Sequence, residues 1–134
     1  MMKVITWNLN YWQKSSVHDD AWAILRKEIK PDLALLQEVN PHRLQKDEYI
    51  SFQPIHQAWG TAIYSRNLPL EELKIEVYAG RVVAAKLEIP SGEIIIAVSI
   101  HAPIINHRVF PYLDEIFDAI EKIVNKRTFV VGAS

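Results

Sequence analysis

Apolar and polar positions along this chain follow two rhythms, and the switches between them outline its elements. Residues 3–9 and 33–39 are short runs rich in aliphatic and β-branched side chains, the length of strands. Between them Trp22, Leu25 and Ile29 recur at helical spacing. Asp19 and Asp20 precede that face, where a carboxylate suits a helix N-terminus, and Pro31 ends it. Residues 41–59 are polar and irregular and read as a long surface excursion. Strands are predicted over 61–65, 73–78, 81–89 and 93–101. In the second of these, Leu73, Ile75 and Val77 alternate with Lys74 and Glu76, the pattern of a half-buried edge. Pro90-Ser91-Gly92 carries turn chemistry and predicts a hairpin. From about Pro111 an amphipathic helix follows, with Leu113, Ile116, Phe117, Ile120, Ile123 and Val124 on one face. Residues 128–132 form a last strand.

Strands alternating with helices indicate an α/β layered fold, and 134 residues are about one domain. Runs such as 33–36 and 94–98 are apolar on both faces, which only a sheet covered on both sides tolerates. Two helices cover one face. The other face needs a layer that this inventory does not supply, and an open apolar face predicts self-association or a partner.

Composition then narrows the chemistry. Without cysteine, disulfides, thiol catalysis and thiolate metal sites are excluded, leaving Asp, Glu, Asn and His. Fifteen Lys plus Arg against 16 Asp plus Glu give a net charge of −1, which argues against a protein held to nucleic acid by bulk charge. No apolar run approaches a membrane span and the N-terminus has no secretory pattern, so a cytoplasmic protein is expected.

Three polar residues end apolar strands: Asn8, Glu38 and His101. Ligands bind beyond the carboxyl ends of strands in open α/β sheets, a rule stated for parallel strands, so the three can converge. Glu and Asn are hard oxygen donors suited to Mg²⁺, and a histidine facing the ion can stabilise or protonate a phosphate oxygen. Tyr64 and Arg66, at the end of the 61–65 run and just after it, are candidates to line a substrate cleft. Asn106, with His107 and Arg108, is a candidate phosphate contact. Trp12 and Trp59 could stack on a base or pack in the core. His18, His42 and His56 show no ligand spacing and read as surface residues.

In the segments ITWNLN (5–10), PDLALLQEV (31–39), WGTAIYSR (59–66), VSIHAP (98–103) and TFVVGA (128–133) the sequence resembles the endonuclease/exonuclease/phosphatase superfamily. The resemblance implies the deoxyribonuclease-I-like fold, a four-layered α/β/β/α sandwich. It implies that Glu38 binds the catalytic Mg²⁺ (Mn²⁺ as the alternative) and that Asn8 helps to position metal and phosphate. His101 would contact the phosphate and assist the leaving group. The family continues with a Gly-Asp-x-Asn motif and an Asp-His pair that activates water, whereas this chain reads Gly132-Ala133-Ser134 and stops. Residues 1–134 are therefore read as one partial domain, half of the sandwich, with its second sheet absent. The implied function is a Mg²⁺-dependent phosphoesterase, or its metal-binding half, acting on nucleic acid or another phosphoester. A non-catalytic module acting through the open face is the alternative. Alone, the chain is expected not to be an active monomer.

Overall fold

The computed structural model describes residues 2–102, 110–124 and 128–134. In chain order the strands are β1 (Val4–Asn8), β2 (Leu33–Val39), β3 (Glu48–Pro54), β4 (Gly60–Arg66), β5 (Glu71–Leu73), β6 (Val82–Glu88), β7 (Ile94–Ile100) and β8 (Thr128–Ala133). They form two four-stranded sheets, ordered β1-β2-β4-β3 and β5-β6-β7-β8. Each sheet is antiparallel except at one pair: β1 runs parallel to β2, and β7 parallel to β8.

The sheets pack face to face, and this resolves the covering problem. Leu33, Leu35 and Ile63 of the first meet Val83, Ala85, Leu87, Ile95 and Ala97 of the second in one buried cluster. Gly132 permits the close approach of β8, since a Cβ there would lie 2.7 Å from Thr6 Oγ1 and 2.8 Å from Leu35 Cδ1. On the outer face of the first sheet, Trp22 and Leu25 seal Ala34, Leu36, Val39, Ala62 and Tyr64. On the outer face of the second, Ile116, Ile120 and Val124 seal Val82, Ala84, Ile96, Val98 and Ile100. Both-faced apolar strands are thus accounted for within the chain, in an α/β sandwich with a helical layer on each side. The expectation that the second sheet is absent is corrected: each sheet contributes four strands. The open face on which self-association was argued is filled by the other sheet.

The helical stretch begins earlier than predicted. It comprises α1 (Tyr11–Lys14), a 3-10 turn (Ser15–Val17), α2 (His18–Ile24) and a π-helical turn (Leu25–Ile29). Lys30, at φ 50°, is the left-handed stop before Pro31. The last helix, α3 (Phe110–Val124), buries Ile116, Ile120 and Val124 while Phe117 stays exposed.

Two strand expectations need correction. The supposed surface excursion contains β3, a full partner of β4 from Glu48↔Arg66 to Pro54↔Gly60. Conversely, only residues 71–73 of the next predicted strand pair with β6. Ile75, Val77 and Tyr78 pack against the outer core without joining the ladder. Histidines also depart from expectation. His18 is buried beside Trp22 and Asn40, and His42 stacks on Trp22 at 5.6 Å, whereas His56 is exposed.

Candidate functional site

Strand direction decides which residues meet. The carboxyl ends of β1 and β2 lie at one end of the first sheet, and those of β7 and β8 lie together in the second. Residues that precede the antiparallel strands β4 and β6 arrive at the same end. Asn8, Glu38, His101 and Ser134 follow or end the first group, while Trp59 and Arg81 precede the second. These six, with Trp12 and Ala102, line a cavity of about 530 Å³. The three strand-end residues singled out in the sequence therefore share one site. Arg66 does not, because β4 is antiparallel to β2 and carries it to the other end, where its N–H donates to Asp32 O at 3.0 Å. Tyr64 is fully buried under α2, its hydroxyl donating to Glu48. Asn106, His107 and Arg108 lie outside the described residues.

Glu38 reaches the cavity through a break in the ladder. Leu36 pairs with Ala62 and Val39 with Gly60, so Gln37 and Glu38 together oppose Thr61 alone. One extra residue is inserted in β2, a β-bulge, and bulges re-aim side chains. Before it, Leu33 and Leu35 face the other sheet while Ala34 and Leu36 face α2; after it, Val39 again faces α2. Regular alternation would also aim Glu38 at that apolar layer. Instead its backbone takes φ 49°, a left-handed conformation that a non-glycine residue adopts at a cost of about 1–2 kcal/mol.

The carboxylate is only partly engaged. The indole N–H of Trp12 donates to Glu38 Oε1, and among the described residues no hydrogen bond reaches Oε2. Asn8 is held by both ends of its amide: Oδ1 accepts from Asn10 N at 2.9 Å, and Nδ2 donates to Ser134 Oγ at 3.2 Å.

His101 is partly buried and its Nδ1 has no partner among the described residues. Burial lowers its pKa from the ordinary value, the Glu38 charge opposes this and the Arg81 charge adds to it, so the ring is neutral at neutral pH. Trp59 sits edge-on to the imidazole at 6.1 Å and stacks on His56 at 6.1 Å. Arg81, which nothing in the sequence singled out, makes no ion pair among the described residues and supplies the cavity's guanidinium.

Among the described residues no cluster of three or more His, Cys, Asp or Glu is shaped for a metal. A carboxylate with a free oxygen beside a side-chain amide nevertheless fits Mg²⁺, which takes one or two carboxylates and fills its shell with water and phosphate oxygens. A larger cavity of about 680 Å³ at the opposite end, lined by Leu68, Leu70, Leu87 and Ile89, offers less chemistry. Its Lys86 is paired with Glu71 at 3.0 Å. No helix among the described residues is long and apolar enough to cross a membrane.

No family model and no curated protein matches the sequence. Solved structures do match. The endonuclease domain of TRAS1, a telomere-specific non-LTR retrotransposon, is 18% identical with a TM-score of 0.69, over 99% of this chain and 58% of that one. TDP2 of D. rerio, complexed with a single strand DNA product, is 16% identical with a TM-score of 0.69, over 97% of this chain and 58% of that one. An endonuclease/exonuclease/phosphatase family protein from Leptotrichia buccalis C-1013-b is 17% identical with a TM-score of 0.62, over 99% and 66%. The chain has the fold of these endonuclease/exonuclease/phosphatase structures, and it spans about 58% of the length of the first of them.

Proposed function

We propose that the protein is a divalent-metal-dependent phosphoesterase whose substrate is a phosphodiester of a nucleic acid or nucleotide. One observation carries this reading: a bulged, left-handed Glu38 shares a single cavity with Asn8, His101 and an Arg81 that makes no ion pair among the described residues. A set of one carboxylate, one amide, one neutral imidazole and one guanidinium matches a phosphate with its metal. Glu38 and Asn8 would hold Mg²⁺ or Mn²⁺, and the ion when bound would polarise the phosphoryl group and steady the leaving oxygen.

The chain's own groups bind and orient the phosphate. Arg81 offsets the phosphate charge and orients two of its oxygens through a planar fork of N–H donors. His101, its pKa lowered by burial and by Arg81 against the opposing charge of Glu38, donates an N–H hydrogen bond to a phosphate oxygen and so stabilises the charge that develops there. Trp12, 55% exposed, and Trp59 stand at the cavity wall as faces on which a base adjoining the phosphate could stack. The fold shared with the TRAS1 endonuclease domain and with TDP2 bound to single-stranded DNA supports a nucleic-acid substrate. A net charge of −1 favours short or single-stranded ligands over a duplex held by bulk electrostatics.

The test is hydrolysis of a short single-stranded oligonucleotide and of a generic phosphodiester, with Mg²⁺ and with chelator. Glu38→Gln is expected to remove the metal-dependent rate while leaving thermal unfolding nearly unchanged. Metal-dependent turnover in the variant equal to that of the parent would take Glu38 out of the site and the reading with it.

A further inference from the structure

The site residues rest on a row of polar side chains, Gln37 and Ser99 fully buried and Thr6 exposed, that the chemistry above does not use. Gln37, fully buried, lies one residue before Glu38. Its Nε2 donates to Ser99 Oγ at 3.0 Å across the sandwich, to Leu35 O at 3.2 Å and toward Thr6 Oγ1 at 3.3 Å. Ser99, also fully buried, donates onward to Leu36 O at 3.0 Å, at the edge of the bulge. Thr6 lies two residues before Asn8, and Ser99 two residues before His101. Each member of the bridge therefore sits just below one of the three site residues, on three strands drawn from both sheets.

An apolar core had no need of it. The cluster between the sheets is built on aliphatic residues such as Leu33, Leu35, Ile63, Val83 and Ala97, and a buried amide–hydroxyl pair is stabilising only when fully satisfied. With the Asn8–Ser134 bond of the site itself, the bridge is one of two polar ties that join the Glu38 sheet to the His101 sheet at this end.

We propose that Gln37 and Ser99 are positioning residues: their hydrogen bond sets the span between the metal-side carboxylate and His101, and it holds the bulge that aims Glu38. The metal readout of this proposal rests on the phosphoesterase reading; a second readout does not.

Mn²⁺ is the probe, its affinity followed by water-proton relaxation on the full chain, beside thermal unfolding. Ser99→Ala removes the acceptor of the Gln37 amide on the other sheet and is expected to lower both stability and Mn²⁺ affinity, the latter by about tenfold or more, as for other groups that orient a metal ligand. Replacing both partners, Gln37→Met with Ser99→Ala, is expected to recover stability, since an apolar pair of similar shape is nearly neutral. Mn²⁺ affinity stays low in that double variant if the bridge positions Glu38. Recovery of affinity together with stability, or affinity unchanged in Ser99→Ala, would overturn the proposal. Ser99→Thr, which keeps the hydroxyl, is expected to retain Mn²⁺ binding.

In metal-free protein the His101 ring resonance, displaced by the Trp59 ring current, is expected to move toward the free-histidine position in the folded double variant. If wild-type protein binds Mn²⁺ no better than Glu38→Gln, the phosphoesterase reading fails. The His101 resonance then decides the bridge by itself, and a resonance that stays in place in the double variant overturns it.

Discussion

Glu38 and Glu48 are both withdrawn from solvent, at opposite ends of the first sheet, and they are held in opposite ways. Glu48 is saturated. Arg26 grips it with two parallel bonds of 2.9 and 2.8 Å, Tyr64 donates its hydroxyl and the Gln45 N–H adds a bond of 2.7 Å. Burial alone would raise the Glu48 pKa, but the bonds from Arg26, Tyr64 and Gln45 outweigh it and hold the carboxyl below its ordinary value. The same pairing, with burial, pushes the Tyr64 hydroxyl well up. Glu38 has one indole N–H, an oxygen without a hydrogen bond among the described residues and a left-handed backbone. A carboxylate with every lone pair answered locks the π-helical turn to β3 and β4; one left half-answered at a bulge is available to a ligand. Satisfaction, more than burial or cavity size, separates a structural acid from a chemical one.

The contrast can be tested from its strongest side downward. His101→Ala is expected to cut turnover by roughly 10²–10³, the usual worth of one positioned donor at a developing charge, with little change in melting temperature. A large fall in melting temperature with normal turnover in the remaining folded enzyme would make His101 a core residue instead. Glu48→Gln should behave in the reverse manner. It leaves the Arg26 charge buried without its partner and is expected to cost about 3 kcal/mol of stability in urea unfolding, while Mn²⁺ affinity stays as in the parent. A Glu48 variant that lost metal binding without losing stability would break the comparison.

Acid gives a finer version. Because the Glu48 pKa is lowered on folding, its contribution is complete above its ordinary value of 4.5 and is lost as pH falls through the lowered value. The stability gap between wild type and Glu48→Gln should therefore be constant near neutrality and close only below about pH 4.5. A gap independent of pH down to acid unfolding would contradict the assignment. The smallest effect is expected at Glu38 itself. Glu38→Gly relieves the left-handed backbone and should raise stability by about 1 kcal/mol or less while abolishing metal binding. A loss of stability, as for glycine placed in an ordinary strand, would show that the position carries no strain.

Much of this was legible in the residues. Asn8, Glu38 and His101 stood out because a polar side chain at the end of an apolar strand has no packing reason to be there, and the strand directions bring them together. Arg66 failed on the same ground, since direction is set by pairing and a single strand does not reveal it. Arg81 was invisible because it precedes a strand, and only the antiparallel β6–β7 pair turns that position toward the site. Strand β3 was hidden by Glu48, a charge that reads as solvent-facing until Arg26 is seen beneath it. The 73–78 alternation was genuine burial without pairing, which periodicity alone does not distinguish.

The bulge carries a last consequence, for the arithmetic of the sheet. Leu36 and Val39 face the same side although three positions separate them, so the flanking ladder is in phase as if β2 were one residue shorter. Glu38 is supernumerary to the architecture: taken out, it would leave Gln37 opposite Thr61 and every pairing on either side in place. The carboxylate of this end stands on a single residue inserted in an otherwise regular pairing, so deleting that residue is expected to remove the group and leave the sheet.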